Sequence, residues 1–131
     1  MKDIQTRADL EKLLASFYQK LLADASISYL FTEVAQIDLE EHLPVLVNFW
    51  EGNLLGGHNY KGNPMGPHFT LHQKSPLGTN HFKTWLHHWT ETIDELFEGP
   101  MADEAKSRAR SIALLMQHKI EQAFGPLNEA N

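Results

Sequence analysis

Apolar residues spaced three and four positions apart recur along most of this chain, and no segment alternates at a spacing of two. That period makes one apolar stripe on a helix and none on a strand, so the chain must bury its core by packing helix on helix. Leu10, Leu13, Leu14, Phe17, Tyr18, Leu21 and Leu22 predict a helix over 6–24, with Thr6 and Asp9 as a capping pair. A short helical turn over 28–32 carries Tyr29, Leu30 and Phe31. Leu39, Leu43, Leu46, Val47, Phe49, Trp50 and Leu54 predict a second long helix over 38–55, started by Asp38 with Glu41 and holding Pro44 in an early turn. Phe82, Trp85, Leu86, Trp89, Ile93, Leu96 and Phe97 predict a third over 80–98, capped by Thr79. A last helix over 101–124 runs through Ala105, Ala109, Ile112, Leu115, Met116 and Ile120 to a C-cap at Gly125.

The helices fall into two pairs, separated by a loop over 56–67 rich in glycine, proline and asparagine. Loops of that length inside a compact domain are often functional. One or two helical turns over 68–74 follow it, opened by His68. With 131 residues the chain is expected to form one domain, 1–131. A net charge of -6 disfavours nucleic acid and anionic membrane surfaces as partners. The absence of cysteine excludes thiolate metal sites, iron–sulfur clusters and cysteine nucleophiles. No apolar run approaches a membrane span and no signal-peptide core follows Met1, so a cytoplasmic protein is the default expectation.

Eight histidines and three tryptophans are the residues from which chemistry can be built. Taken alone, His68 is an ordinary surface histidine or, as a neutral imidazole, an axial ligand to haem iron. His68 and His72 also have the i, i+4 spacing of two zinc ligands. A third ligand would come from His81, His87 or His88, but no glutamate stands between the pair as in a zinc hydrolase motif. Tyr18 is a core tyrosine or a hydrogen-bond donor inside an apolar pocket. His42 is an exposed residue or a pocket residue. Trp85 lies on a buried stripe, where its indole N–H can only donate. Phe49 and Trp50 are most simply core.

Together these segments resemble the group III truncated globins. The likeness is carried by Phe17-Tyr18, Phe31, Glu41-His42, Asn48-Phe49-Trp50, Leu54-Leu55-Gly56, Tyr60-Lys61-Gly62-Asn63-Pro64-Met65, His68 and His81-Phe82-Lys83-Thr84-Trp85-Leu86. It runs from the first helix to the last, where only the apolar pattern matches. The resemblance implies an all-α, two-over-two helical sandwich, the truncated globin fold, enclosing haem b. His68 then matches the proximal iron ligand. Tyr18, His42 and Trp85 match the distal tyrosine, histidine and tryptophan. Phe31, Leu46, Phe49, Trp50 and Met116 match haem-pocket positions. The seventeen positions between His68 and Trp85 exceed those of the shorter family members. Either a small insertion follows His68, or His72, on the same helix face, is the ligand. Pro64-Met65-Gly66-Pro67-His68 fits the family's Pro-Met-x-x-His pattern and favours His68.

What the resemblance implies for function is reversible binding of O2, NO or CO at the open sixth position of the iron. Donation from Tyr18 and Trp85 in a low-dielectric pocket would hold O2 tightly and release it slowly. His42 would gate entry. The same donors suit conversion of NO to nitrate with O2, or peroxidase-like O–O cleavage, either of which needs an external reductase. The alternatives are a non-haem helical binding module and a small metal-dependent hydrolase built on His68 and His72.

Overall fold

The computed structural model describes residues 1–60 and 62–127, so Lys61 of the resemblance motif and residues 128–131 lie outside it. Among the described residues every regular element is helical: α1 (Arg7–Ala23), α2 (Ala25–Tyr29) running into a π-helical turn (Leu30–Val34), α3 (Leu39–Leu54), α4 (Met65–Lys74), α5 (Thr79–Leu96) and α6 (Pro100–Phe124). The most extensive packing pairs α1 with α3, α5 with α6, and α1 with α5. This is two layers of two helices, the two-over-two arrangement that the resemblance implies.

Several helices begin where a side chain satisfies their free N–H groups. The Thr6 hydroxyl accepts from the Asp9 N–H at 3.2 Å, and the Asp9 carboxylate accepts from the Thr6 N–H at 3.0 Å. Asp38 caps α3 by accepting from the Glu40 N–H at 3.0 Å; Glu41 is not the capping partner. The N-terminus of α6 is capped from the far end of the chain. Asp3 accepts from Met101 and Ala102 N–H at 2.9 and 2.8 Å, and Glu98 N–H donates to the Lys2 carbonyl at 3.0 Å. Gly99 lets the strap close: its φ is +144°, and a Cβ there would stand 2.5 Å from Asp3 Cγ.

The core is the apolar stripe of α1 set against the other long helices. Leu10, Leu13, Leu14, Phe17 and Leu21 are at most 1% exposed. Each such side chain contributes roughly 1.5–3 kcal/mol of burial, so α1 is the element on which the sandwich is assembled. Arg7 ties its first turn to α3, donating to Asn48 Oδ1 at 2.8 Å and Glu51 Oε1 at 3.0 Å. The short α6 alanines (Ala102, Ala105, Ala109, Ala113), each at most 2% exposed, let it lie close against its neighbours. No helix among the described residues is long and apolar enough to cross a membrane.

Candidate functional site

Buried tyrosine hydroxyls need a partner, and Tyr18, 4% exposed on α1, finds His42 on α3. The Tyr18 oxygen lies 3.0 Å from His42 Nε2. The π-helical turn adds the third wall. Its i→i+5 bond from Ala35 N–H to the Leu30 carbonyl (2.9 Å) places Phe31 edge-on to Tyr18, ring centroids 5.6 Å apart. Turns of this kind often occur at functional sites. Burial pushes the Tyr18 phenol well above the ordinary tyrosine range, so it remains a proton donor.

His68 lies on α4. Its Nδ1 lies 2.6 Å from the Pro64 carbonyl, one helical turn back. A carbonyl can only accept, so Nδ1 carries the proton and Nε2 keeps its lone pair. Burial holds His68 below the ordinary histidine range, against the opposing pull of the Pro64 carbonyl. His42 is lowered too, first by burial and then by the nearby charge His68 would carry if protonated. Burial thus disfavours the charged form of both rings.

Pro64 and Asn63 set up this geometry. Asn63 Oδ1 accepts from the Met65 N–H at 2.9 Å and starts α4 three residues earlier than the sequence suggested. Pro67 falls in the first turn of α4, where a missing N–H costs nothing.

His72 is engaged differently. Its Nδ1 accepts from the Leu77 N–H at 2.9 Å, which puts the proton on Nε2 and leaves no free lone pair for a metal. Its ring packs on Phe124 at 5.0 Å. His81 is similarly committed: Nδ1 accepts from Gly78 N–H at 2.9 Å, and Nε2 lies 2.9 Å from the Tyr29 hydroxyl. Among the described residues the one clustered set of metal-capable side chains is His87, His88 and Glu91, which contains neither His68 nor His72.

Trp85, half-buried on α5, reaches the Tyr18 side through Phe17, whose ring is 5.7 Å from Trp85 and 5.5 Å from Tyr18. Leu46 and Phe49 are partly exposed on α3 at the edge of the core. Trp50 is 3% exposed and stacked on Trp89; Met116 on α6 is 9% exposed within the same core. Phe69 of α4, which sequence reasoning did not select, and Leu86 of α5, read there only as a stripe and motif residue, are further partly buried apolar residues. Phe17, the hub joining Tyr18, Trp85 and Trp89, was read as a stripe residue and as part of the Phe17-Tyr18 pair, not as a site residue.

A flat apolar cofactor with a metal at its centre suits this set. The elements bearing His42 and His68, α3 and α4, do not pack extensively on each other, and the side chains around them are aromatic or aliphatic. α4 offers a free imidazole lone pair at His68, and α1 and α3 offer the hydrogen-bonding groups of Tyr18 and His42.

The comparisons with known proteins agree. The model of the bacterial-like globins matches residues 2–121. The chain belongs to the bacterial-like globin family. Within it, the chain is 28% identical over 119 residues to a group 3 truncated hemoglobin of Campylobacter jejuni, covering 88% of this chain and 91% of that protein. It also superposes on the crystal structure of a group III truncated hemoglobin from that organism with a TM-score of 0.82 and 27% identity, covering 95% of this chain and 99% of the other.

Proposed function

We propose that the chain, as one domain over residues 1–131, binds haem b through His68 Nε2 and takes up a diatomic ligand beside Tyr18, His42 and Trp85. The observation that carries this reading is the His68 Nδ1 hydrogen bond to Pro64, which presents a neutral imidazole with its lone pair on Nε2. Membership of the globin family supports it. Haem supplies an iron with one position open to O2, NO or CO; the chain's own residues do the rest. Phe31, Leu46, Phe49, Trp50 and Met116 form or back the apolar wall and exclude water. Tyr18 keeps its proton and swings its hydroxyl from His42 toward the ligand. The Trp85 indole N–H adds a second donor. In a water-poor pocket such bonds are strong, so O2 affinity is high and release slow.

That balance suits O2-dependent conversion of NO, or peroxidase-like chemistry, better than delivery of O2. Either needs electrons from a reductase partner, and the expected setting is the cytoplasm. The test is a haem titration of the purified protein. A Soret band that saturates at about one equivalent and shifts when CO meets the reduced form is expected. A protein that stays colourless, or a spectrum that CO does not move, would refute the reading and leave the non-haem binding module.

A further inference from the structure

Three indoles form a continuous stack from the pocket into α3. Trp85 and Trp89 stand one turn apart on α5 with rings parallel to within 3° and centroids 6.1 Å apart. Trp89 stacks in turn on Trp50 of α3, at 4.6 Å and 24°. Trp89 is wholly buried and Trp50 is 3% exposed. Phe17 lies edge-on to both Trp85 and Trp89, at 5.7 and 5.0 Å, and keeps water from the junction. Beyond Trp50, the Phe49 ring lies between the stack and half-buried Tyr60 (5.5 and 5.2 Å).

Filling volume does not call for three indoles in register. Indole is among the side chains most easily oxidised by one electron, and near-parallel rings in contact exchange an electron readily. The Trp89 indole N–H donates to the Ala105 carbonyl at 3.1 Å. An amide carbonyl is too weak a base to take that proton. Oxidised Trp89 therefore keeps its proton and is restored by an electron alone.

We propose that Trp85, Trp89 and Trp50 are an electron relay that carries oxidising equivalents out of the pocket when a peroxide reacts there. The proposal rests on the haem reading above. The O–O bond of a peroxide ROOH breaks with two electrons and two protons, giving ROH and water. Both electrons are drawn through Trp85, one after the other, and the two protons come from solvent water, which is left as hydroxide. Trp85 is refilled by Trp89, and Trp89 by Trp50, leaving the electron hole on Trp50. Two equivalents of a one-electron reductant of the ascorbate class, one for each hole, then restore Trp50 across the Phe49 ring.

The experiment uses the haem-loaded protein treated with one equivalent of hydrogen peroxide without reductant. It is frozen for electron paramagnetic resonance, and a parallel sample is digested for peptide mass spectrometry. The expected result is an indole radical and oxygen incorporation at Trp50, although Trp85 is the more exposed ring. In Trp89→Phe, Trp50 modification is lost and Trp85 modification rises. In Trp50→Phe, the modification stops at Trp89, a result that stands even if Trp89→Phe fails to fold. Equal Trp50 modification with and without Trp89, or a normal Soret band with all three indoles intact, would overturn the relay alone. A missing Soret band would overturn the haem reading and the relay with it.

Discussion

Replacing Tyr18 with Phe removes one oxygen atom and little else. The ring keeps its edge-on contacts with Phe17, Phe31 and His42, at 5.5, 5.6 and 5.6 Å. What goes is the 3.0 Å bond to His42 Nε2 and any bond to a ligand. A neutral hydrogen bond contributes about 1 kcal/mol net, and His42 is only half-buried, so solvent can replace the lost partner. The melting temperature of the haem-free protein should fall by no more than about 4 °C, the shift that about 1 kcal/mol causes in a domain of this size. For O2 the account is different. A hydrogen bond to an atom bearing charge is worth roughly 1.5–3 kcal/mol, and forming it in the wild type costs the Tyr18–His42 bond at about 1 kcal/mol. The difference of roughly 0.5–2 kcal/mol corresponds to O2 release about 2- to 30-fold faster in Tyr18→Phe. CO carries little charge and should leave at nearly the wild-type rate. Stopped-flow displacement of O2 and of CO measures both. An O2 off-rate that does not change, or O2 and CO rates that change together, would remove Tyr18 from the site.

Three other perturbations test the frame around it. Asp3→Ala uncaps α6 and should destabilise the fold by about 0.5–2 kcal/mol in chemical denaturation, with no change in its helix count by spectroscopy at low denaturant. Burial pushes the Asp3 carboxyl upward, but N–H donation from Met101, Ala102 and Ile4 outweighs it and leaves it lowered, so this contribution is present at neutral pH and lost in acid. Burial lowers His81 below the ordinary histidine range. The unfolded chain then binds that proton more readily than the folded one, so stability is intact above about pH 6.5 and falls as pH drops below it. The urea midpoint should decline between about pH 7.5 and about pH 5, and less steeply in His81→Asn. Gly99→Ala forces a Cβ to within 2.5 Å of Asp3 Cγ at a φ of +144°, and its loss of stability should largely overlap that of Asp3→Ala in a double-mutant cycle.

The long helices were legible because their signals are local. A stripe of Leu10 to Leu22 has one period, and Thr6 and Asp9 cap within a single turn. The start of α4 was not, because Gly66 and Pro67 read as breakers, while Asn63 supplies the cap and Pro67 falls where proline is harmless. The stretch over 25–34 is helical without a stripe, held by Asp24 at one end and by the π-turn at the other. The strap of Asp3 on Met101 spans 98 residues, and no pattern announces a contact so distant. At the site, residue types pointed to Tyr18, His42 and His68, the Pro-Met-x-x-His pattern favoured His68 over His72, and the hydrogen bonds of the two rings add a second difference. In both rings a backbone group engages Nδ1, but at His68 it is a carbonyl that leaves the lone pair on Nε2, and at His72 it is an N–H that takes the lone pair on Nδ1. The trio of stacked indoles was visible as three helical tryptophans, and their alignment depends on how α3 meets α5.

The measurement that bears most directly on the central claim compares His68→Ala and His72→Ala, each loaded with haem and reduced. The free lone pair on His68 Nε2 predicts that His68→Ala alone loses the five-coordinate ferrous spectrum, and that added imidazole restores it. His72→Ala should keep both that spectrum and its CO-shifted Soret band. Loss of the spectrum in His72→Ala with its retention in His68→Ala would contradict the account.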